Sequence, residues 1–160
     1  MSNKELVIRY VEYQSIEELS QDDRNLMQSA IMATNSAYSP YSHFKVGAAV
    51  AVRIPSDQRL VIVRGSNQEN VAYPSGLCAE RTALFYAGSE FPEGVIEALA
   101  IVARNENGQL VEAAPCGACR QVLAESSRRA TQPIRVLMYR NDGSIRQVMS
   151  NDLLPFAFDF

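Results

Sequence analysis

The residues best suited to chemistry in this sequence are its three cysteines and a nearby glutamate. Cys78 and Glu80 stand two positions apart, and Cys116 and Cys119 stand three apart, with each pair at a predicted helix start after a loop. Residues three apart on a helix share one face, so Cys116 and Cys119 can bind one ion. Cys78 and Glu80 are two positions apart, which would point them to different sides within a helix. They can face the same ion only if that ion lies beyond the N-terminus of their helix. Free N–H groups at a helix tip also favour thiolates.

Zinc is the metal that such ligands select, because soft thiolates bind it in tetrahedral geometry. Structural zinc sites close with four protein ligands, whereas catalytic sites use three and leave a position for water. The single histidine, His43, is the only conventional fourth ligand and lies far in sequence from both cysteine segments. We therefore expect three thiolates plus a water, and we interpret His43 as a loop or sheet residue. The alternative of buried, inert thiols is disfavoured by the two-segment pattern with its glutamate.

The charge of this ligand set suggests roles for two neighbouring side chains. Three thiolates on Zn²⁺ carry a net charge of about −1, which weakens the metal as a Lewis acid compared with histidine ligation. Arg81 is the candidate cation to offset that charge, although a plain surface position on a helix is the alternative. Glu80 is placed to move protons for a metal-activated water.

Apolar periodicity predicts the elements that must position these residues. In chain order they are a strand over 4–13, a helix over 21–35 capped by Ser20, an antiparallel hairpin of 44–53 and 60–65, a helix over 78–87 ended by Gly88, a buried strand over 95–103, a helix over 116–127 and a strand over 134–139. Strands alternating with helices in the second half predict βαβ units with a right-handed crossover. The expected architecture is an α/β fold with a mixed sheet and helices on its faces.

Length and composition bound the function. The chain has 160 residues, 47% of them hydrophobic, and a net charge of −3, which is typical of one globular domain and disfavours a polynucleotide binder. Its apolar runs are shorter than the roughly 20 residues of a membrane helix, and its first residues do not form a secretory signal. An odd number of cysteines argues against a complete disulfide set. We expect a cytoplasmic protein with reduced thiols and no membrane partner.

The cysteine segments and three further stretches together resemble the cytidine deaminase family, whose zinc signature pairs three metal ligands with a non-ligand glutamate. The further stretches are AYSPYSHFKVGAA at 37–49, GSNQEN at 65–70 and LLPFAF at 153–158. The resemblance covers residues from about Ser20 to Phe160 and implies a three-layer α-β-α domain over 20–160. It looks like the small, homotetrameric, three-cysteine branch of that family, with one Zn²⁺ per subunit. Residues 1–19 are then an N-terminal extension, predicted as an extra strand.

The resemblance also implies individual roles. Cys78, Cys116 and Cys119 would bind zinc, while Glu80 would take a proton from the metal-activated water that attacks C4, protonate N3 and assist the departure of ammonia. The implied substrate contacts are the Ala79 N–H with the 2-oxo group, Asn67 and Glu69 with the ribose 3′-hydroxyl, Phe44 against the base, and Tyr73 and Phe158 reaching into a neighbouring subunit's site. The expected reaction is the hydrolysis of cytidine and 2′-deoxycytidine to uridine and 2′-deoxyuridine plus ammonia, a step of pyrimidine salvage.

Three other functions stay open at this point. A cytosine-bearing antibiotic of the blasticidin type could be the substrate, although Asn67 and Glu69 as ribose contacts favour a nucleoside. A polynucleotide-editing deaminase would need a groove with stacking and basic residues, which the acidic balance disfavours. A structural zinc domain would make Glu80 dispensable. A carboxylate at Glu69 would also repel a phosphate, which favours a nucleoside over a nucleotide.

Overall fold

A mixed sheet of seven strands forms the centre of the fold, with helices on both faces. The structure, a computed structural model, describes residues 1–158; Asp159 and Phe160, at the end of the predicted domain, lie outside the described residues. The strands are β1 (Tyr10–Tyr13), β2 (Lys45–Arg53), β3 (Leu60–Ser66), β4 (Val95–Arg104), β5 (Leu110–Val111), β6 (Arg135–Tyr139) and β7 (Ile145–Met149). The helices are α1 (Gln21–Ala33), α2 (Ala79–Glu90) and α3 (Gly117–Ala130), with short 3₁₀ turns at Ile16–Glu18, Thr34–Ser36, Tyr73–Ser75 and Ser150–Leu153.

The strand order is β1-β7-β6-β4-β2-β3, and β5 pairs with the end of β4. The β4–β6 pair is parallel and the other pairs are antiparallel. Because β3 and β4 both run antiparallel to β2, they point the same way, and α2 connects them. Helix α3 likewise lies between the parallel strands β4 and β6. Both predicted strand–helix–strand connections are therefore present, and they bring the first turns of α2 and α3 to the same edge of the sheet.

The two faces of the sheet carry separate halves of the core. Ala48, Val50 and Val52 of β2 pack in one buried cluster that includes residues of α2 and α3. The alternate residues Ala49 and Ala51 pack in a second cluster that includes residues of α1. This period of two is the pattern of a central strand buried on both faces. The arrangement confirms the predicted three-layer α-β-α architecture.

Two glycines on the β2–β3 hairpin allow helices to approach the sheet closely. A Cβ atom at Gly65 of β3 would lie 2.4 Å from the Ala83 amide nitrogen and 2.5 Å from the Ala79 carbonyl oxygen, both in α2. A Cβ atom at Gly47 of β2 would lie 2.1 Å from the Ala30 carbonyl oxygen of α1. Each helix can therefore lie this close to the sheet only because the facing residue is a glycine, which has no side chain.

An ion pair of the buried residue Asp23 connects the start of α1 to the sheet. The Ser20 hydroxyl accepts a hydrogen bond from the Asp23 amide at 3.2 Å and caps the helix, as predicted. The Arg135 guanidinium of β6 contacts both carboxylate oxygens of Asp23 at 2.8 Å. The Asp23 side chain is 10% exposed, so this ion pair is largely shielded from water.

Three sequence-based expectations differ from the structure. The predicted strand over 4–13 forms only over Tyr10–Tyr13, because β7 supplies ladder partners to those residues alone. Helix α2 continues through Gly88 to Glu90, since a glycine inside a packed helix weakens it by only about 1 kcal/mol. Strands β5 and β7 were not predicted, and β7 follows the turn at Gly143, whose φ is +86°. None of the described helices has the length and apolar character needed to span a membrane.

Candidate metal centre and active-site cavity

The three cysteine sulfurs converge at the N-termini of α2 and α3. Cys78 is the extended residue before α2, Cys116 is the extended residue before α3, and Cys119 lies in the first turn of α3. The distance from the Cys78 Sγ to the Cys116 Sγ is 3.8 Å, and from the Cys116 Sγ to the Cys119 Sγ it is 3.5 Å. Because Cys78 stands outside its helix, it and Glu80 can face the same site despite their spacing.

The donor set fits zinc. All three sulfurs lie within 4.8 Å of one another. Tetrahedral zinc with Zn–S bonds of about 2.3 Å places its sulfurs about 3.8 Å apart. The group holds three thiols and no histidine, so a three-thiolate site for a single zinc ion per subunit is the arrangement that this chain offers. His43 lies outside this group, in the left-handed region with φ of 56°, as expected of a loop residue.

The surroundings of the sulfurs favour the thiolate form of Cys78. The hydrogen bond with Cys119 is the largest cause, and together with the Arg81 guanidinium it lowers the pKa of the Cys78 thiol to about 5. The Arg81 Nη2 lies 3.7 Å from the Cys78 Sγ. The N-termini of two helices add partial positive charge at the same point. A metal that requires deprotonated sulfur is therefore favoured at this position.

Glu80 is buried beside the cysteines in the first turn of α2. Glu80 is only 3% exposed, and it lines the same cavity as Cys78 and Cys116. Burial is the main cause that raises the pKa of its carboxyl to about 7, and the charge on Cys78 acts in the same direction. A carboxyl group with a pKa near neutrality can both take and give a proton.

A cavity of about 840 Å³ extends outward from the cysteines. Phe44, Asn67, Glu69 and Tyr73 also line it. The amide N–H of Ala79 belongs to the first turn of α2, where N–H groups have no acceptor within the helix. Phe158, which is 69% exposed, is absent from the described residues that line this cavity.

Asn67 and Glu69 each hold the loop that precedes β2. The Asn67 Oδ1 accepts a hydrogen bond from the Val46 amide at 2.8 Å, and its Nδ2 donates to the Phe44 carbonyl at 2.9 Å. The Glu69 Oε2 accepts from the amides of Tyr41 at 2.9 Å and Ser42 at 3.3 Å. Each predicted ribose contact therefore also braces the segment that carries Phe44.

Sequence reasoning missed Ser42. Its hydroxyl donates a short hydrogen bond to the Glu69 Oε1 and accepts one from the Phe44 amide at 3.1 Å. The only signal in the sequence is the serine two positions before Phe44, a spacing that suits a side chain capping its own turn. That Glu69, 27 positions away, completes the contact depends on the folded chain.

Comparisons with known proteins agree with this geometry. The family model described as the cytidine and deoxycytidylate deaminase zinc-binding region matches residues 20–132. A cytidine deaminase of Halalkalibacterium halodurans is 42% identical over 137 residues, which cover 86% of this chain and 94% of the relative. One from Sporosarcina psychrophila is 39% identical, covering 86% of this chain and 91% of the relative.

Solved structures show the same relationship. The crystal structure of cytidine deaminase from Burkholderia pseudomallei superposes with a TM-score of 0.68 at 34% identity, covering 88% of this chain and all of that one (100%). That from Mycobacterium tuberculosis gives a TM-score of 0.66 at 37% identity, covering 88% of this chain and 100% of that chain. The sheet, the three-cysteine group and the matched region together place this chain in the cytidine and deoxycytidylate deaminase family, with a site for one zinc ion.

Proposed function

We propose that this protein is a zinc-dependent hydrolase that converts cytidine and 2′-deoxycytidine to uridine and 2′-deoxyuridine, with release of ammonia, in pyrimidine salvage. In this reaction the bond from C4 to the exocyclic nitrogen breaks and a bond from C4 to a water oxygen forms. One observation carries the proposal: a single cavity is lined by Cys78, Cys116 and the buried Glu80 and also by an aromatic ring, an amide and a carboxylate. Those groups match a pyrimidine ring linked to a sugar.

Cys78, Cys116 and Cys119 would hold the metal. When bound, zinc supplies Lewis acidity that lowers the pKa of a water molecule and so makes a nucleophile available at neutral pH. The Arg81 guanidinium, 3.7 Å from the Cys78 Sγ, offsets part of the negative charge of the thiolates.

Glu80 moves the protons. Its carboxylate takes a proton from the attacking water, transfers it to N3 of the pyrimidine, and then assists protonation of the leaving amine. A carboxyl group needs a pKa near the working pH to act in both directions, and burial brings the pKa of Glu80 to about 7. The low exposure of Glu80 also keeps bulk water away from these transfers.

The hydrogen-bonding capacity of Asn67 and Glu69 suits one sugar hydroxyl. A carboxylate can accept about four hydrogen bonds, and Glu69 accepts three within the protein. The Asn67 amide donates one of its two N–H groups to Phe44. A ribose 3′-hydroxyl can therefore donate to Glu69 and accept from Asn67. The base would lie against Phe44, with its 2-oxo group facing the Ala79 N–H.

The charges in the cavity favour a nucleoside over a nucleotide. Arg81 is the one cationic side chain among the described lining residues, and its guanidinium faces Cys78. Glu69 stands at the sugar-binding wall and would repel a phosphate. An editing deaminase would instead need basic and stacking residues along an open groove.

The assembly and domain limits are part of the same proposal. Residues 20–160 would form one deaminase domain, since the family match begins at residue 20, and residues 1–19 an extension that adds β1 to the sheet edge. The strongly exposed rings of Tyr73 (91%), Phe156 (97%) and Phe158 (69%) suit burial between subunits of a homotetramer. Tyr73 and Phe158 would there reach a neighbouring site. A cytoplasmic setting would keep the three thiols reduced.

An ultraviolet assay tests the proposal. Purified protein, with its zinc content measured on the same sample, is given cytidine, 2′-deoxycytidine, deoxycytidine 5′-monophosphate and a blasticidin-type antibiotic in parallel. We expect turnover of both nucleosides with a higher kcat/KM than for the nucleotide or the antibiotic. Zinc-loaded protein that leaves cytidine unchanged would refute it. Light scattering on that sample tests the tetramer.

A further inference from the structure

Ser42 connects the two groups that contact opposite ends of the proposed substrate. Its hydroxyl donates to the Glu69 Oε1, on the sugar side, and accepts from the Phe44 amide at 3.1 Å, on the base side. A serine hydroxyl has one proton to donate and oxygen lone pairs to accept with, so both contacts can exist at once.

The Glu69 carboxylate is held at both of its oxygens. Two backbone amides, those of Tyr41 and Ser42, donate to Oε2 at 2.9 and 3.3 Å. Within residues 1–158, the Ser42 hydroxyl is the donor recorded for Oε1. Removal of that hydroxyl would leave the carboxylate anchored through one oxygen, about which it can rotate.

The same hydroxyl stabilises the turn that presents Phe44. His43 adopts a φ of 56°, a left-handed conformation that is uncommon for residues other than glycine. The hydrogen bond from the Phe44 amide to the Ser42 Oγ spans this residue and closes the turn. Asn67 then holds the Phe44 carbonyl from the other side, at 2.9 Å.

We propose that Ser42 is a positioning residue for substrate binding, which sets the Glu69 carboxylate and the Phe44 ring in one fixed relative geometry. This inference rests on the proposed function, because it takes Glu69 as the sugar contact and Phe44 as the base contact. Ser42 acts through these two residues, and it has no part in the proton transfers at Glu80.

The electrostatics of Glu69 agree with this role. The hydrogen bond from the Ser42 hydroxyl is the largest cause that lowers the pKa of the Glu69 carboxyl, followed by the Tyr41 amide. The carboxylate therefore stays ionised and able to accept a hydrogen bond from a sugar hydroxyl.

The test compares Ser42→Ala with Ser42→Thr, which keeps the hydroxyl, and with Ser56→Ala, a control in the turn between β2 and β3. For Ser42→Ala we expect the KM for cytidine to rise by about tenfold, the scale of one hydrogen bond to a charged group, with kcat nearly unchanged. Ser42→Thr should restore most of the KM, and Ser56→Ala should leave both constants unaltered. Zinc content should stay at the wild-type value in each variant, and turnover is measured below each melting temperature, because loss of the Ser42 hydrogen bonds also lowers the stability of the turn.

A double-mutant cycle with Glu69→Gln separates positioning from general destabilisation. If Ser42 acts through Glu69, Ser42→Ala should raise KM much less in the Glu69→Gln background than in the wild type. An unchanged KM in Ser42→Ala, additive effects in the cycle, or a fall in kcat that Ser42→Thr does not rescue would overturn the inference. Failure of the wild-type protein to turn over cytidine would instead refute the proposed function.

Discussion

Substitution of Gly65 by alanine tests whether the contact of α2 with the sheet sets the geometry of the site. The new Cβ would lie 2.4 Å from the Ala83 amide nitrogen and 2.5 Å from the Ala79 carbonyl oxygen, about 1 Å inside ordinary van der Waals contact. Both partners are backbone atoms, so no side-chain rotation relieves the overlap. The first turn of α2 must move away from the sheet, and that turn carries Glu80 and follows Cys78.

The magnitude follows from this displacement. A shift of about 1 Å in a reacting group can lower the rate by about 100-fold. Overpacking a tight contact of this kind also lowers the free energy of unfolding by about 1–3 kcal/mol. For Gly65→Ala we therefore expect a kcat for cytidine about 100-fold below wild type per bound zinc, together with a lower melting temperature.

Gly47→Ala is the matched control on the other face of the sheet. Its Cβ would lie 2.1 Å from the Ala30 carbonyl oxygen and 2.7 Å from the Thr34 amide nitrogen, so it displaces α1, which carries none of the proposed site residues. This variant should lose stability to a similar or greater degree yet keep kcat near the wild-type value.

Cytidine turnover is measured by ultraviolet absorbance at a temperature below the melting temperatures of both variants. Each rate is divided by the folded fraction, taken from circular dichroism, and by the amount of bound zinc. Equal losses of kcat in the two variants would show that general destabilisation, and not the position of α2, controls the rate. Wild-type kcat and melting temperature in Gly65→Ala would refute the packing argument.

Three further outcomes are expected. Glu80→Gln should keep its zinc and its fold, while turnover of cytidine falls by about 10²–10⁴-fold, the usual effect of losing a general acid–base group. Substantial turnover, or loss of the metal, would contradict the proton-transfer role of Glu80. Removal of zinc with a chelator should abolish turnover and lower the melting temperature, and added Zn²⁺ should restore both. In Cys119→Ala, which loses a buried ligand, added Zn²⁺ should not restore them. Full activity of metal-free protein would contradict the proposed metal site. Asp23→Ala, which breaks the ion pair with Arg135, should lower the free energy of unfolding in urea by about 1–3 kcal/mol and leave the kcat of folded protein unchanged; a reduced kcat would show that this pair also affects the site.

The metal centre was predictable from the sequence because its determinants are local. Cys116 caps α3 and Cys119 follows three positions later in its first turn, so the spacing alone brings both to the start of one helix, where their sulfurs lie 3.5 Å apart. Cys78 and Glu80 can share that site only at a helix tip, and the structure places Cys78 at the cap of α2. The three helices and the strands β2, β3, β4 and β6 were likewise readable from apolar periodicity, since burial on one or both faces leaves a regular pattern.

The edges of elements were not predictable from local patterns. Residues 4–9 carry apolar side chains suited to a strand, but β1 begins only at Tyr10, where β7 supplies partners. Helix α2 runs past Gly88 because α3 packs against it. The Arg129 Nη1 of α3 lies 3.1 Å from the point that a Cβ atom at Gly88 would occupy. Tertiary contacts override a weak local preference in each case.

The substrate-facing wall depends most on the folded chain. The sequence by itself predicted the three-thiolate metal group and, through the family resemblance, which residues would meet the sugar and the base. Only the tertiary structure decided that Ser42 joins Glu69 to Phe44, since these groups come from segments 27 positions apart that meet only when β2 and β3 pair. A hydrogen bond forms between atoms within about 3 Å in space, whatever their distance along the chain.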